Sequence, residues 1–284
     1  MILIAESGST KTQWCLIDSD RLEDLVNTPG VNPFNLTGSE IEGIMRPVSV
    51  GVDIFKLKKI YFFGAGCSTA KNKEKIKTAL VNIFKCRNIE VDTDLQAACL
   101  ALAGDEPGLI GLMGTGSNSC IWNGKEITEH VPSLGYVLGD EGGGVSIGKQ
   151  LVADYLKKQM PSHLRKIFAS KYDVTIEFVL ERVYQMQMPN RYMAGYAPFV
   201  EENIKDEYCR LIVFNQFKNY IERNILLYPN ATKYPLYFCG SIAYAHRDIL
   251  EEICKYNQLE ISKVVKEPIN DLAIYFKNKI DISN

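Results

Sequence analysis

Three loops of glycine, serine and threonine, each at the end of a β-rich run, constrain this chain more than any other feature. Glu6-Ser7-Gly8-Ser9-Thr10-Lys11-Thr12 joins the runs 2–5 and 13–18 and is short enough for a hairpin; Gly114-Thr115-Gly116-Ser117-Asn118 follows the run Leu109 to Met113; Gly240-Ser241 follows Leu236 to Cys239. Small residues let backbone N–H groups approach phosphate oxygens, hydroxyls add donors, and Lys11 adds a positive charge. One such loop is also what an ordinary tight turn looks like. Three in a chain of 284 residues point to nucleotide binding.

Between the loops the hydrophobic period alternates between strand and helix. A strand at Lys59 to Phe63 ends in Gly64-Ala65-Gly66, and Lys73 to Phe84 sets Ile76, Leu80, Val81 and Phe84 on one side of an amphipathic helix. A strand at Ile89 to Val91 runs into Asp92-Thr93-Asp94 and then an Ala-rich helix, Gln96 to Ala103. Carboxylates at such a strand end often face a cleft. Asp94 has two readings here, a plain N-cap of that helix or a carboxylate that does chemistry. Asn123-Gly124 predicts a type I′ hairpin before Lys125 to Thr128. From about Gly148 the helical period dominates, at Lys149 to Lys158, Thr175 to Gln185 and Glu207 to Leu227, and the strand Leu236 to Cys239 is followed by a helix from Ile242 to Lys255.

Composition excludes several classes. A chain 46% hydrophobic and 23% charged is ordinary for a soluble globular protein, and a net charge of -2 gives no basic field for nucleic acid. The N-terminal apolar run meets Glu6 at once, and no later stretch is apolar for long enough to span a bilayer, so a cytoplasmic protein without a membrane segment is expected. Eight cysteines without a C-x-x-C pair, most of them in apolar runs, read as buried free thiols, and three scattered histidines lack the spacing of a zinc site. Gly143 to Lys149 fits G-x-x-x-x-G-K, but Gln150 replaces the Ser/Thr that would ligate magnesium and no strand precedes it. That match is read as chance. The run Leu138-Gly139-Asp140-Glu141-Gly142-Gly143-Gly144 places two acids amid four glycines; a solvated turn is the plainer reading, and a loop where backbone and ligand come close is the better one.

These motifs in this order resemble the acetate and sugar kinase, chaperone ATPase and actin superfamily, and within it the branch holding N-acetylglucosamine kinases and BadF/BadG-type ATPases. The resemblance covers essentially the whole chain. Residues 6–12 resemble the first phosphate loop and 114–118 the second, Gly240-Ser241-Ile242-Ala243 resembles the adenosine motif, and Gly135-Tyr136-Val137-Leu138-Gly139-Asp140-Glu141-Gly142 is similar to the G-W-x-x-G-D-E-G signature of the kinase branch. The resemblance implies an α/β fold of two actin-like (ribonuclease H-like) lobes around a central nucleotide- and sugar-binding cleft. It implies an N-terminal lobe at 1–108 rejoined by a C-terminal helix at 272–284, and a C-terminal lobe at 109–271.

By the same resemblance, Ser7, Gly8, Ser9, Thr10, Lys11, Gly114, Thr115, Gly116 and Ser117 would bind ATP phosphates, and Gly240 and Ser241 the adenosine. Asn32, Asn118, Asp140 and Gly144 would line the sugar pocket, and Asp94 would be the catalytic acid. Mg2+ would accompany ATP near Glu6, through a water, although the family's loop normally opens with the shorter Asp. The implied activity is phosphorylation of an amino sugar, N-acetylglucosamine at its 6-hydroxyl, with a homodimer left open. The alternatives are a BadF-type ATPase that activates a partner enzyme through an iron-sulfur cluster on shared cysteines, and a non-catalytic sugar-binding protein.

Overall fold

The computed structural model describes residues 1–18 and 21–283, with side chains as far as Lys279; residue 284 of the expected segment 272–284 lies outside the described residues. The chain divides into two compact units, one of Met1–Glu106, Trp122–Ile127 and Glu267–Asn284, the other of Pro107–Ile121 and Thr128–Lys266. Among the described residues, no helix is long and apolar enough to cross a membrane.

In the first unit, β1 (Ile2–Ser7), β2 (Lys11–Asp18), β3 (Arg21–Asp24), β4 (Thr28–Pro29), β5 (Lys59–Gly64) and β6 (Ile89–Asp92) form one sheet in the order β3-β2-β1-β5-β6, with β4 paired to β2. β1 runs antiparallel to β2 and parallel to β5, which is parallel to β6. Leu3, Ile4 and Ala5 are all fully buried, a continuous apolar run of the kind a strand shows when both its faces are covered. Side-chain alternation assigns the faces. Ala5, Trp14 and Phe62 share one, where the Trp14 ring lies 6.1 Å from Phe62 and 6.2 Å from Phe84 at the end of the helix Ala70–Phe84. Ile4 and Cys15 share the other, packed with Ala97 of the helix Asp94–Leu102 and with Leu272 and Phe276 of the helix Ile269–Ser283. The helices start where threonine caps them. Thr37 and Glu40 form a capping box, and Thr69 and Thr93 accept from the amides of Asn72 and Gln96.

In the second unit β7 (Pro107–Met113), β8 (Ser117–Asn123), β9 (Ile127–Glu129), β10 (Leu236–Cys239) and β11 (Ile261–Val265) are ordered β11-β10-β7-β8-β9, with β10 parallel to both β7 and β11. Helices including Gly144–Leu156 and Glu207–Arg223 supply a core around Phe168, Phe199, Phe217, Tyr220 and Phe238, all fully buried.

Two local expectations are corrected. The turn after β8 is not type I′, which needs positive φ at both central residues. Its central residues are Gly124 and Lys125, closed by the Asn123 amide on the Glu126 carbonyl at 3.2 Å, and of the two only Gly124 has positive φ, at 93°. Asn123 instead uses Oδ1 to accept the amides of Lys125 and Glu126, each at 2.9 Å, so it brackets the turn from one position earlier. The helix expected from Ile242 to Lys255 is two helices, Ser241–Ala245 and Arg247–Tyr256. His246 stands at the break, 2% exposed with Nδ1 unpartnered, its ring edge-on to Phe217.

Gly148 lets its helix approach the backbone at Met193 closely, because a Cβ there would lie 1.8 Å from the Met193 carbonyl oxygen; a Cβ at Gly43, exposed in the helix Gly38–Met45, would meet nothing within 4 Å. Gly148→Ala therefore lowers stability by about 1–3 kcal/mol through overpacking, whereas Gly43→Ala raises it by about 0.5–1 kcal/mol through helix propensity. Calorimetric melting of both variants checks the opposite signs.

Candidate functional site

In the first unit the candidate residues sit at the carboxyl ends of parallel strands, where open α/β sheets bind ligands. Register places Glu6, Phe63 and Asp92 level across β1, β5 and β6. Beyond Glu6 the chain turns through residues 8–10, closed by the Gly8 amide on the Lys11 carbonyl at 3.0 Å. Gly30 backs the turn so closely that a Cβ would stand 2.4 Å from the Gly8 oxygen, and the Gly30 amide bonds the Thr10 carbonyl. Ser7, expected at the phosphates, is fully buried; its hydroxyl bonds Thr12 Oγ1 at 2.7 Å and accepts the Val31 amide at 3.0 Å. These bonds brace the loop.

Asp94 is not the helix cap. Thr93 Oγ1 accepts the Gln96 amide at 3.1 Å, which satisfies an orphan N–H of the helix start and leaves Asp94 at the first helical position. The Asp94 carboxylate is half-buried and accepts the adjacent Leu95 amide at 3.0 Å. Withdrawal from water raises its pKa above the ordinary carboxylate value, against the lowering effect of nearby backbone N–H groups. Neighbouring Asp92 is engaged differently, accepting Lys73 Nζ at 2.9 Å and the Thr93 amide at 2.8 Å. Asn32 packs against Gly66, whose Cβ would lie 2.3 Å from Asn32 Oδ1, and that oxygen accepts the Phe34 amide.

Glu6 is half-buried in a crowd of charge. Burial first, then the carboxylates of Asp94 and Glu267, push its pKa up to about 8, with Lys11 opposing. Glu267 binds both Lys11 Nζ and Gln13 Nε2. Sequence motifs gave no sign of Gln13 or Glu267; the one signal for Gln13 was its place two residues beyond Lys11 on β2.

In the second unit two loops interlock. The Ser117 amide donates to Asp140 Oδ1 at 3.1 Å, the Gly144 amide to the Gly114 carbonyl at 2.8 Å, and the Val145 amide to the Thr115 carbonyl at 2.9 Å. A Cβ at Gly116 would lie 2.5 Å from Asp140 Oδ1, and one at Gly143 would lie 2.7 Å from the Gly116 carbonyl carbon. Gly144, expected at the sugar, opens the helix Gly144–Leu156 and is buried with its amide engaged. Asp140 holds φ 60°, and burial raises its pKa despite the Ser117 amide. Asn118 Oδ1 lies 2.8 Å from His130 Nε2 and also accepts the Ser119 amide. Gly240, at φ 125° after β10, is bound through its amide to the Val265 carbonyl; a Cβ there would meet the Met113 oxygen at 2.2 Å, so Gly240-Ser241 and the Gly114 loop start side by side. The Gly143 to Lys149 match to a phosphate loop mostly lies within the helix.

A mixed α/β chain whose two units both launch small-residue loops from parallel strands has the actin-like fold. It matches a non-polymerising variant of MamK bound to AMPPNP with TM-score 0.54 and 11% identity over 95% of each chain. It also matches a provisionally assigned N-acetylglucosamine kinase from Chromobacterium violaceum with TM-score 0.74 and 17% identity, over 96% of this chain and 98% of that one. At such identities the likeness is one of fold. A provisionally assigned N-acetylglucosamine kinase from Porphyromonas gingivalis is 36% identical, with TM-score 0.90, over 98% of this chain and 99% of that one. The chain belongs to the N-acetylglucosamine kinase family. No protein-family model and no curated protein matches the sequence.

The residues around Glu6 fit a hydrated magnesium ion. Mg2+ keeps several waters and takes one or two carboxylates plus substrate phosphates. Gln13, directly across from Glu6 in the β1–β2 register, has a buried Oε1 with no partner, an acceptor that a metal-bound water would satisfy. Among the described residues no group of three or more His, Cys, Asp or Glu is placed to hold a metal ion by itself.

The Glu6 pKa makes stability pH-dependent. With a folded value near 8 against an ordinary 4.5, the folded chain keeps a proton that the unfolded chain releases between those values. Stability is therefore greatest below about pH 4.5 as far as this group is concerned, and falls as pH rises to about 8. Glu6→Gln has no proton to lose and is more stable than the parent at pH 8.5, on the order of 2 kcal/mol after discounting for solvent access, with the difference vanishing near pH 4.5. Urea unfolding across pH 4.5–9 measures the crossover; parallel curves for both proteins would mean that Glu6 is ionised throughout.

Proposed function

We propose that this protein is an ATP-dependent kinase that phosphorylates an amino sugar, N-acetylglucosamine at its 6-hydroxyl. The observation that carries the reading is that Thr93 caps the helix, which frees Asp94, together with membership of the N-acetylglucosamine kinase family. Phosphoryl transfer needs held phosphates, charge neutralisation and a carboxylate that orients the attacking hydroxyl. Asp94, its basicity raised by burial, takes the proton of the 6-hydroxyl. Lys11 and the loops 8–10 and 114–117 hold phosphate oxygens. Gly240 and Ser241 border the adenosine, and Asn32, Asn118 and Asp140 hold sugar hydroxyls. Magnesium beside Glu6 and Gln13 would neutralise charge on the β- and γ-phosphates when bound. All eight cysteines are buried, which leaves no surface thiol for the cluster that an activator ATPase shares between chains.

Two measurements test the reading. Coupled detection of ADP across glucosamine, N-acetylglucosamine, N-acetylmannosamine, N-acetylmuramic acid and glucose is expected to show stimulation strongest with N-acetylglucosamine; a flat panel with ATP binding intact would leave a sugar-independent ATPase or a binding protein. Asp94→Asn is expected to lose turnover by about a hundredfold or more with unchanged nucleotide affinity. Thr93→Ala, in contrast, loses about 1 kcal/mol of stability while keeping most turnover. Should the two variants exchange phenotypes, Asp94 is a structural residue.

A further inference from the structure

Lys11 is the single cation of the first loop, and its ammonium is hydrogen-bonded to a carboxylate 256 positions away, that of Glu267. The second oxygen of the same carboxylate accepts Gln13 Nε2 at 2.6 Å. Lys11 and Gln13 are two residues apart on β2 and so project on one side, where together they clamp a single anion. Glu267 lies between β11 and the last helix, in neither element, and is the first residue of the closing segment of the first unit. A pair of oxygens shared between an ammonium and an amide N–H2 is how such a strand would hold two oxygens of a phosphate. The pair is open to solvent, with the Lys11 and Glu267 side chains 45% and 31% exposed, and an ion pair that exposed is weak enough to exchange.

The geometry points to Glu267 as the resident occupant of the Lys11 phosphate position: an incoming polyphosphate takes Lys11 from Glu267, and Glu267 takes it back when the nucleotide leaves. Glu267 is thus a positioning residue. It holds the Lys11 ammonium until a polyphosphate takes it, and lowers nucleotide affinity by the cost of the exchange. Gln13 retains the displaced carboxylate, so no bond is made or broken beyond the hydrogen bonds to Lys11. The inference rests on the proposed role of Lys11 as a phosphate ligand.

Isothermal titration of ADP with magnesium into the full chain tests it, using Glu267→Gln, Glu267→Asp, Lys11→Met and the double variant Lys11→Met/Glu267→Gln. Glu267→Gln keeps an acceptor for Gln13 but removes the charge, and is expected to bind ADP about two- to five-fold more tightly, the worth of an exposed ion pair. Glu267→Asp, a carboxylate on a shorter arm, falls between the two. Lys11→Met binds more weakly, and in that background Glu267→Gln brings no gain, since the effect acts through Lys11. A merely structural role for Glu267 would weaken binding or leave it unchanged in Glu267→Gln; that result, with Lys11→Met still weakened, overturns the inference and leaves the Lys11 assignment standing. If Lys11→Met binds normally, the assignment and the inference fall together. If the gain persists without Lys11, Glu267 repels the nucleotide directly and the exchange is wrong.

Discussion

Parallel pairing of β1 with β5, and of β5 with β6, sets the level at which the first unit presents its polar groups. With Ile2 opposite Lys59 and Ile60 opposite Ile89, the three strands reach Glu6, Phe63 and Asp92 together. A slip of one residue in β1 would turn Glu6 to the opposite face of the sheet and carry an apolar neighbour into its place. The apolar residues hold the register. Ala5, Trp14 and Phe62 on one face, and Ile4 and Cys15 on the other, are buried against different helices, so neither face tolerates the shift. The second unit repeats the device with β7 and β10, whose register ends with Leu112 opposite Cys239, one residue before Met113 and Gly240 crowd together.

That placement concentrates negative charge. Glu6 lies near Asp94, Glu267 and the cation Lys11, and burial together with the two carboxylates raises its pKa to about 8. Charge on Asp94 and Glu267 disfavours a third charge on Glu6, which burial of Glu6 already opposes. The protein resolves the conflict locally: Glu267 takes Lys11 and Gln13, Asp94 takes backbone N–H groups, and Glu6 stays neutral. Carboxylates gathered and perturbed in this way mark functional sites more often than structural ones, because a fold gains nothing from their mutual repulsion unless a ligand relieves it.

The loops were legible in the sequence because small polar residues gathered at the end of a β-rich run do little there except turn the chain or face a ligand, and the strand Leu236–Cys239 was read to the residue. Where two neighbours could play one part, sequence was mute. Thr93 and Asp94 both suit a cap, and only the hydrogen bond from Gln96 separates them. The turn at Gly124 slipped by one position because Asn123 serves it through a side-chain acceptor rather than a positive φ. The helix Gly38–Met45 carries a capping-box signature in Thr37 and Glu40, but its eight residues are too few for the hydrophobic period to stand out. Glu267 had no local signature, and Gln13 only its place two residues beyond Lys11, since their meaning lies in a contact across some 254 residues of chain.

The glycines after Glu141 show how a run that looks permissive can be tightly specified. Gly142 needs φ 74° while its missing Cβ makes room for Tyr220, and Gly143 and Gly116 must both lack side chains for their backbones to approach. Asp140, in the left-handed region with φ 60°, carries a strain that such loops hold only when their surroundings over-determine them. Here the Ser117 amide on Oδ1 and the Gly143 amide on the Asp140 carbonyl supply that determination. On the proposed assignment, the carboxylate that meets the sugar is the same one that fixes the second phosphate loop, by its other oxygen. A ligand pulling on Asp140 Oδ2 is then felt at Ser117 through a single carboxylate, with no intervening side chain to absorb the movement, so sugar and nucleotide are coupled within this unit by geometry alone.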